Sequence, residues 1–273
     1  MKKYIGSKWV ADFRDPWINA FWEQNNNRLR RIQNWMIKLE RGIVNNADAV
    51  TCVSPSIAED FRMKISDNPK VRAIYNGYDE TDFKEESQEI SSQKYRMTFI
   101  GGLGKSQICA NFFKALHLLP REIKEMIEVE FIGNIHNEIE SLIERYDLYD
   151  TVSIEGYKPH NHVIRRIQSS ELLLLFIARN TGEGVISGKF FEYLATGNEI
   201  LAVVEGSNQN LKDLLTKCNA GIMKQYEDDF ADYIKSKIEN WHQGNRHYSN
   251  LAAISAFSRK RQTRELASLF DEL

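Results

Sequence analysis

The residues best suited to chemistry lie in one stretch, GVISGKFFEYLATG, residues 184–197. It places Lys189 and Glu192 among Val185, Ile186, Phe190, Phe191, Tyr193, Leu194 and Ala195, all of which read as buried. A charge among apolar groups is costly unless something pairs with it, so both side chains need a partner. Ser187 suits a helix N-cap, and Gly197 suits the glycine that closes the same helix. The run LLLLFIA, residues 172–178, precedes this helix and reads as a buried strand. Its end should lie at the carboxyl edge of a sheet, where open α/β sheets bind ligands. A helix starting there offers free N–H groups and partial positive charge, a seat for a phosphate. Ser187 and Gly188 supply the N–H groups, and Gly188 permits close approach. Lys189 in the first turn opposes the helix dipole, which a bound diphosphate explains. Glu192 lies more than a turn in, where it can accept hydrogen bonds from a sugar's hydroxyl pair.

The elements that must position these residues follow from periodicity. KWVADF, AVTCVS and VRAIYNG read as strands, and RMTFIGG, IEVEFIG, TVSIEG, LLLLFIA and EILAVV as a second series. Helical patterns separate them. In residues 27–47, Leu29, Ile32, Trp35, Met36, Leu39 and Ile43 share one face, and Ser54 with Pro55 opens the next helix. Near-continuous apolar strands joined by helices imply parallel sheets covered on both faces. The fold class is α/β, doubly wound, in two blocks. We expect a partial first unit over 1–80, a polar linker over 81–93 and a larger unit over 94–255. The first unit is small, as though its opening strands were absent.

Composition narrows the classes of function. The chain has 273 residues, 42% hydrophobic, with formal net charge -2 from 36 basic and 38 acidic residues. That balance disfavours a nucleic-acid partner. The three cysteines show no metal-ligand or disulfide spacing, which indicates a reducing compartment. No apolar run follows the basic start, and the longest is far short of the ~20 residues of a membrane span. A cytoplasmic protein, able to sit peripherally at the inner membrane face, is the expectation.

Several segments taken in order resemble the retaining glycosyltransferases of family 4, which have the GT-B fold: two Rossmann-like domains facing a cleft. SGKFFEYLATG is similar to their donor-site helix, and WVADFRDPW to the Asp-Arg-Asp-Pro-Trp motif of members that build bacterial polysaccharides or lipid-linked sugars. NADAVTCVSPSIAEDF, VRAIYNGYDETDF, MTFIGGLGK and the closing FSRKRQTRELASLFDEL also match, the last implying a helix over 256–273 that returns to the first domain. The resemblance implies transfer of a sugar from a nucleotide-diphosphate sugar to a glycan or lipid-linked acceptor, with retention of configuration and no cofactor. It puts Glu192 on the ribose hydroxyls, and Gly101, Gly102, Lys105 and Lys189 near the diphosphate. Gly156 and Tyr157 fall by the nucleobase. Asp12, Arg14 and Asp15 fall in the cleft as candidate catalytic residues. No Asp-x-Asp motif is placed for a metal ion, and none is expected.

One departure concerns Gly184, which stands where many relatives carry a glutamate contacting the donor sugar; Glu183 is one position out of register. Plainer readings compete with each role. Glu192 could be a solvated helix residue, Lys189 could snorkel, and the glycines could serve any strand-to-helix turn. Asp12, Arg14 and Asp15 could form a structural ion pair, and His160 an exposed loop residue. Arg259, Lys260, Arg261 and Arg264 read first as a solvated helix face, with an anionic membrane surface as the alternative. Trp9, Trp17, Trp22 and Trp35 read as core and interface rather than as an acceptor platform. Two further functions stay open: a nucleotide-sugar-binding homologue without transfer, and, against the FRDPW and KFFEY motifs, a sugar-nucleotide epimerase.

Overall fold

The structure, a computed structural model, describes residues 6–15, 30–65, 70–84, 93–181 and 184–273, without the side chains of 30 and 31. Two parallel sheets result. In the first, β1 (Val10–Phe13), β2 (Ala49–Cys52) and β3 (Lys70–Ala73) lie in that order. Helices α1 (Arg30–Asn46) and α2 (Pro55–Lys64) form the crossovers. Phe13 packs on Phe61 with ring centroids 4.6 Å apart, inside a core that also takes in Val44, Val50 and Ile57.

The second sheet has six strands: β4 (Tyr95–Ile100), β5 (Ile127–Ile132), β6 (Val152–Glu155), β7 (Leu172–Phe176), β8 (Glu199–Val204) and β9 (Gly221–Gln225). Their spatial order is β6-β5-β4-β7-β8-β9, all parallel. The chain winds outward one way from β4 and the other way from β7, so the topological switch point lies between them. Helices α3 (Ala110–Leu118), α4 (Arg121–Lys124), α5 (Glu138–Arg145), α6 (His160–Gln168), α7 (Gly188–Thr196), α8 (Gln209–Cys218) and α9 (Ala231–His242) complete the unit. One face of the sheet is aromatic, with Phe99, Phe112, Phe113, Phe131 and Phe176. The other is packed by Phe190, Phe191 and Leu194 from α7.

After the short α10 (Leu251–Ile254), helix α11 (Arg259–Asp271) ties the units together. Tyr78 pairs with Ser258, and Gly77 takes φ +68 where an added Cβ would meet the Phe257 carbonyl at 2.6 Å. At the far end Glu272 bonds Lys70 and Arg72 of β3.

Two expectations need correction, those for the tryptophans and for the capping serines. The face that Ile32, Trp35 and Leu39 share on α1 is largely open: they are 44%, 62% and 38% exposed, while Glu40 is buried against Lys64. The three-stranded sheet supplies apolar cover only for the last turns, through Ile43, Val44 and Ala47. Trp9, 37% exposed, and Trp35 are therefore not core; Trp17 and Trp22 lie outside the described residues. Ser54 and Ser187 occupy N-cap positions, but neither side chain makes the capping bond. After Gly77, Tyr78 is buried and Phe83 meets it edge-on at 5.9 Å.

Candidate functional site

Helix α7 begins just past the carboxyl end of β7, beside the switch point, as the strand-then-helix reading requires. Its placement is fixed by a residue that periodicity marks only as apolar. The Tyr193 hydroxyl accepts the Ile100 N–H of β4 at 3.0 Å and donates to the Leu174 carbonyl of β7 at 3.2 Å. Tyr193 thus clamps the helix to both strands that bound the crevice. Gln107 does the same for the glycine loop: its amide donates to the Phe176 carbonyl at 2.8 Å and accepts the Gly104 N–H at 3.0 Å.

At the start of α7, the N–H groups of Ser187, Gly188 and Lys189 have no partner among the described residues. The Lys189 ammonium turns back over the Phe99 ring, 4.1 Å from its centroid, a cation–π contact. It lies 3.3 Å from where a Cβ on Gly101 would stand, so Gly101, at φ +91, is the residue that leaves it room. Burial pulls the Lys189 amine down to about 8, against the opposing pull of Glu192. The Glu192 carboxylate is half-buried and has no hydrogen-bond partner among the described residues. Burial raises its pKa, while His160 and Arg259 draw it down. A carboxylate without a hydrogen-bond donor and a buried amine held by no hydrogen bond, one turn apart on α7, could together receive a ligand carrying both hydroxyls and negative charge.

The first unit faces this helix across a cavity of about 230 Å³ lined by Arg14, Asp15 and Asn76 on one side and Val185, Ser187 and Gly188 on the other. Asp12 does not line it. Its Oδ2 accepts from Arg14 Nε at 2.9 Å and its Oδ1 accepts from Thr51 Oγ1 at 2.7 Å, so Asp12 aims Arg14. Asn76 Oδ1 takes a second guanidinium bond at 3.0 Å. Asn76 was legible only as part of the NGYD segment, and its hold on Arg14 was not. Asp15 makes no bond to any described residue and stands exposed at the cavity's rim.

Gly184 has φ +98, and a Cβ there would fall 2.1 Å from Ser56 Oγ and 2.8 Å from Ser54 Oγ. The glutamate of the resemblance is therefore not merely absent; hydroxyls of the first unit fill its place. Ser56 also accepts from Asn210 of α8 at 2.8 Å. His160, read as a loop residue, opens α6 and pairs with Asp82 at 3.0 Å. Gly102, Gly156 and Tyr157 lie on loops after β4 and β6 and Lys105 opens a single 3-10 turn (Lys105–Gln107), all four open to solvent, with Tyr157 89% exposed. No hydrogen bond or ion pair joins these four to Lys189 or Glu192 among the described residues.

Residues 12–82 match the family model described as Glycosyltransferase Family 4. A search of curated proteins by sequence finds no match. Among solved structures, HepE from Anabaena in complex with UDP superposes over 100% of this chain and 74% of its own, with TM-score 0.77 and 14% identity. Sucrose-phosphate synthase from Thermosynechococcus elongatus is similar over 99% of this chain and 69% of its own, with TM-score 0.71 and 15% identity. WaaG, a glycosyltransferase involved in lipopolysaccharide biosynthesis, matches 96% of this chain and 73% of its own, with TM-score 0.62 and 14% identity.

Proposed function

From a chain whose residues 12–82 match the family 4 glycosyltransferase model and whose whole described length takes up the GT-B fold, we propose that the protein transfers a sugar from a nucleoside-diphosphate sugar to a glycan or lipid-linked acceptor. The observation that carries this reading is the pairing at α7 of three unpartnered N–H groups with Lys189 and Glu192. In this account the diphosphate sits on the helix start and the Lys189 ammonium, close against Gly101, Gly102 and Gly188. Lys105 supplies outer positive charge, and Glu192 accepts from the ribose hydroxyls. The base lies toward Gly156 and Tyr157. Uridine is the base to test first, since the Anabaena structures hold UDP and UDP-glucose.

Bond cleavage places negative charge on the departing diphosphate. Preorganised N–H donors and a guanidinium across a narrow cavity stabilise that charge, each removed donor costing ~10²–10³ in rate. Arg14 is the cation that reaches the cavity from the acceptor side, with Asp12 as its positioning residue. Asp15 is the group available to an acceptor hydroxyl. We assign retention of configuration, no metal or cofactor, and a cytoplasmic place with peripheral access to a membrane-borne acceptor to the same reading.

The test is turnover: UDP release from UDP-sugars with and without oligosaccharide or lipid-linked acceptors, for the native chain and Arg14→Ala. Acceptor-dependent release that Arg14→Ala lowers at least ~10²-fold, with nucleotide affinity nearly kept, supports transfer. Nucleotide binding without turnover identifies a binding homologue. Isomerised or hydrolysed donor without acceptor identifies an epimerase.

A further inference from the structure

The start of α8 reaches in two directions. Asn208 caps the helix, its Oδ1 accepting the Leu211 N–H at 3.1 Å, and its amide donates to the Val185 carbonyl at 3.2 Å. Asn208 is buried, and it holds the loop that leads into α7. Two residues on, the Asn210 amide crosses to the first unit and donates to Ser56 Oγ at 2.8 Å. Residues two apart on a helix do not share a face, so one turn takes hold of two different neighbours.

The contact at Ser56 is closely fitted. Gly184, at φ +98, makes room for it, since a Cβ there would stand 2.1 Å from Ser56 Oγ. The Ser54 hydroxyl, wholly buried, lies 3.4 Å from that of Ser56. Beside these serines, Ile57 lines the cavity between the units, facing Val185, Ser187 and Gly188. Helix α11 joins the units elsewhere, through Tyr75, Lys70 and Arg72, and none of these three lines that cavity. At the cavity itself, the bond from Asn210 to Ser56 ties one wall to the other.

We infer that Asn210 is a positioning residue: through Ser56 it sets the span between the start of α7 and Arg14, while Asn208 holds the α7 side in place. Breaking the Asn210 bond then widens the cavity and takes Arg14 away from a bound diphosphate, with the seat on α7 left intact. That consequence rests on the proposed diphosphate site; the hold on the first unit does not.

Met63 on α2 and Leu118 on α3 are 74% and 59% exposed and belong to different units. The native cysteines are all buried, so nitroxide labels on Met63→Cys and Leu118→Cys report the distance between units by pulsed electron resonance. In the full chain without ligand, Asn210→Ala should raise a second distance population about threefold to tenfold, as loss of one hydrogen bond gives. Ser56→Ala should do the same, and the double variant no more than either. Asn210→Asp, which can accept from the Ser56 hydroxyl, should restore the native distribution. UDP affinity by calorimetry should be kept in Asn210→Ala, and acceptor-dependent turnover should fall in kcat with the donor KM kept. Distances unchanged in both single variants, effects that add in the double variant, or weakened UDP binding alongside the new distance would overturn the inference. Absence of UDP binding or of turnover in the native chain counts against the transferase reading alone, and the distances still decide this one.

Discussion

An amine brought down to about 8 by burial is still mostly charged at neutral pH and loses that charge as the pH rises past about 8. A bound diphosphate favours its protonated form, so nucleotide binding takes up a proton. UDP affinity should hold nearly constant between about pH 7 and 8, above the ~6 at which a terminal phosphate takes up its proton, and then fall by up to tenfold per pH unit as the free amine deprotonates. Lys189→Met should bind more weakly, with a flat profile over the same range. The sign for stability is opposite. The folded pKa lies below the unfolded value, so the unfolded chain binds more protons from about pH 8 to 10.5, and Lys189's unfavourable contribution is relieved as pH rises. Glu192 gives a second signed prediction. Its carboxyl is raised chiefly by burial, so Glu192→Gln should raise the thermal midpoint by a few degrees while lowering UDP affinity about tenfold, the contribution of a charged hydrogen bond. A merely solvated glutamate would move neither. Lys189 and Glu192 were legible in the sequence because each breaks an apolar run. Tyr193 was not, because a buried tyrosine reads as apolar whether or not its hydroxyl holds two strands.

At the scale of elements, α7 was legible end to end: residues 187 and 197 bracket it, and Gly197 takes φ +74 as a closing glycine should. What single-chain periodicity could not show is contact between elements. Gly184 reads as a loop glycine, yet its space is taken by Ser54 and Ser56 from the other unit. Gly184→Ala should therefore cost about 1–3 kcal/mol from backbone strain and crowding. The double variant with Ser56→Ala should recover part of that loss, which denaturant titration of the four-member cycle will measure. β9 escaped notice because GIMKQ is short, starts on glycine and is an edge strand with no fully buried residue. The apolar face of α1 was legible as a face, but how much of it is covered was not, since the number of strands beneath a helix is not written in the helix.

At the scale of the molecule, the two sheets are held by α11 and the Gly77 crossing. Gln262 is the joint: its Oε1 accepts the Tyr75 N–H at 2.8 Å and its amide donates to the Ala256 carbonyl at 2.8 Å. Gln262→Ala should lower stability by about 1–3 kcal/mol, whereas Glu272→Ala, at an exposed ion pair, should leave the thermal midpoint nearly unchanged. The register of this strap was not legible in the sequence, because nothing local to residue 262 points to residue 75. All of this geometry serves one claim, that a nucleoside diphosphate binds where α7 meets the crevice between β4 and β7. Calorimetric titration of UDP and GDP into the native chain and into Glu192→Ala tests it most directly. The account predicts saturable binding of one nucleotide that Glu192→Ala weakens about tenfold or more. Failure of both nucleotides to bind the folded native chain would contradict it, leaving α7 a capped core helix.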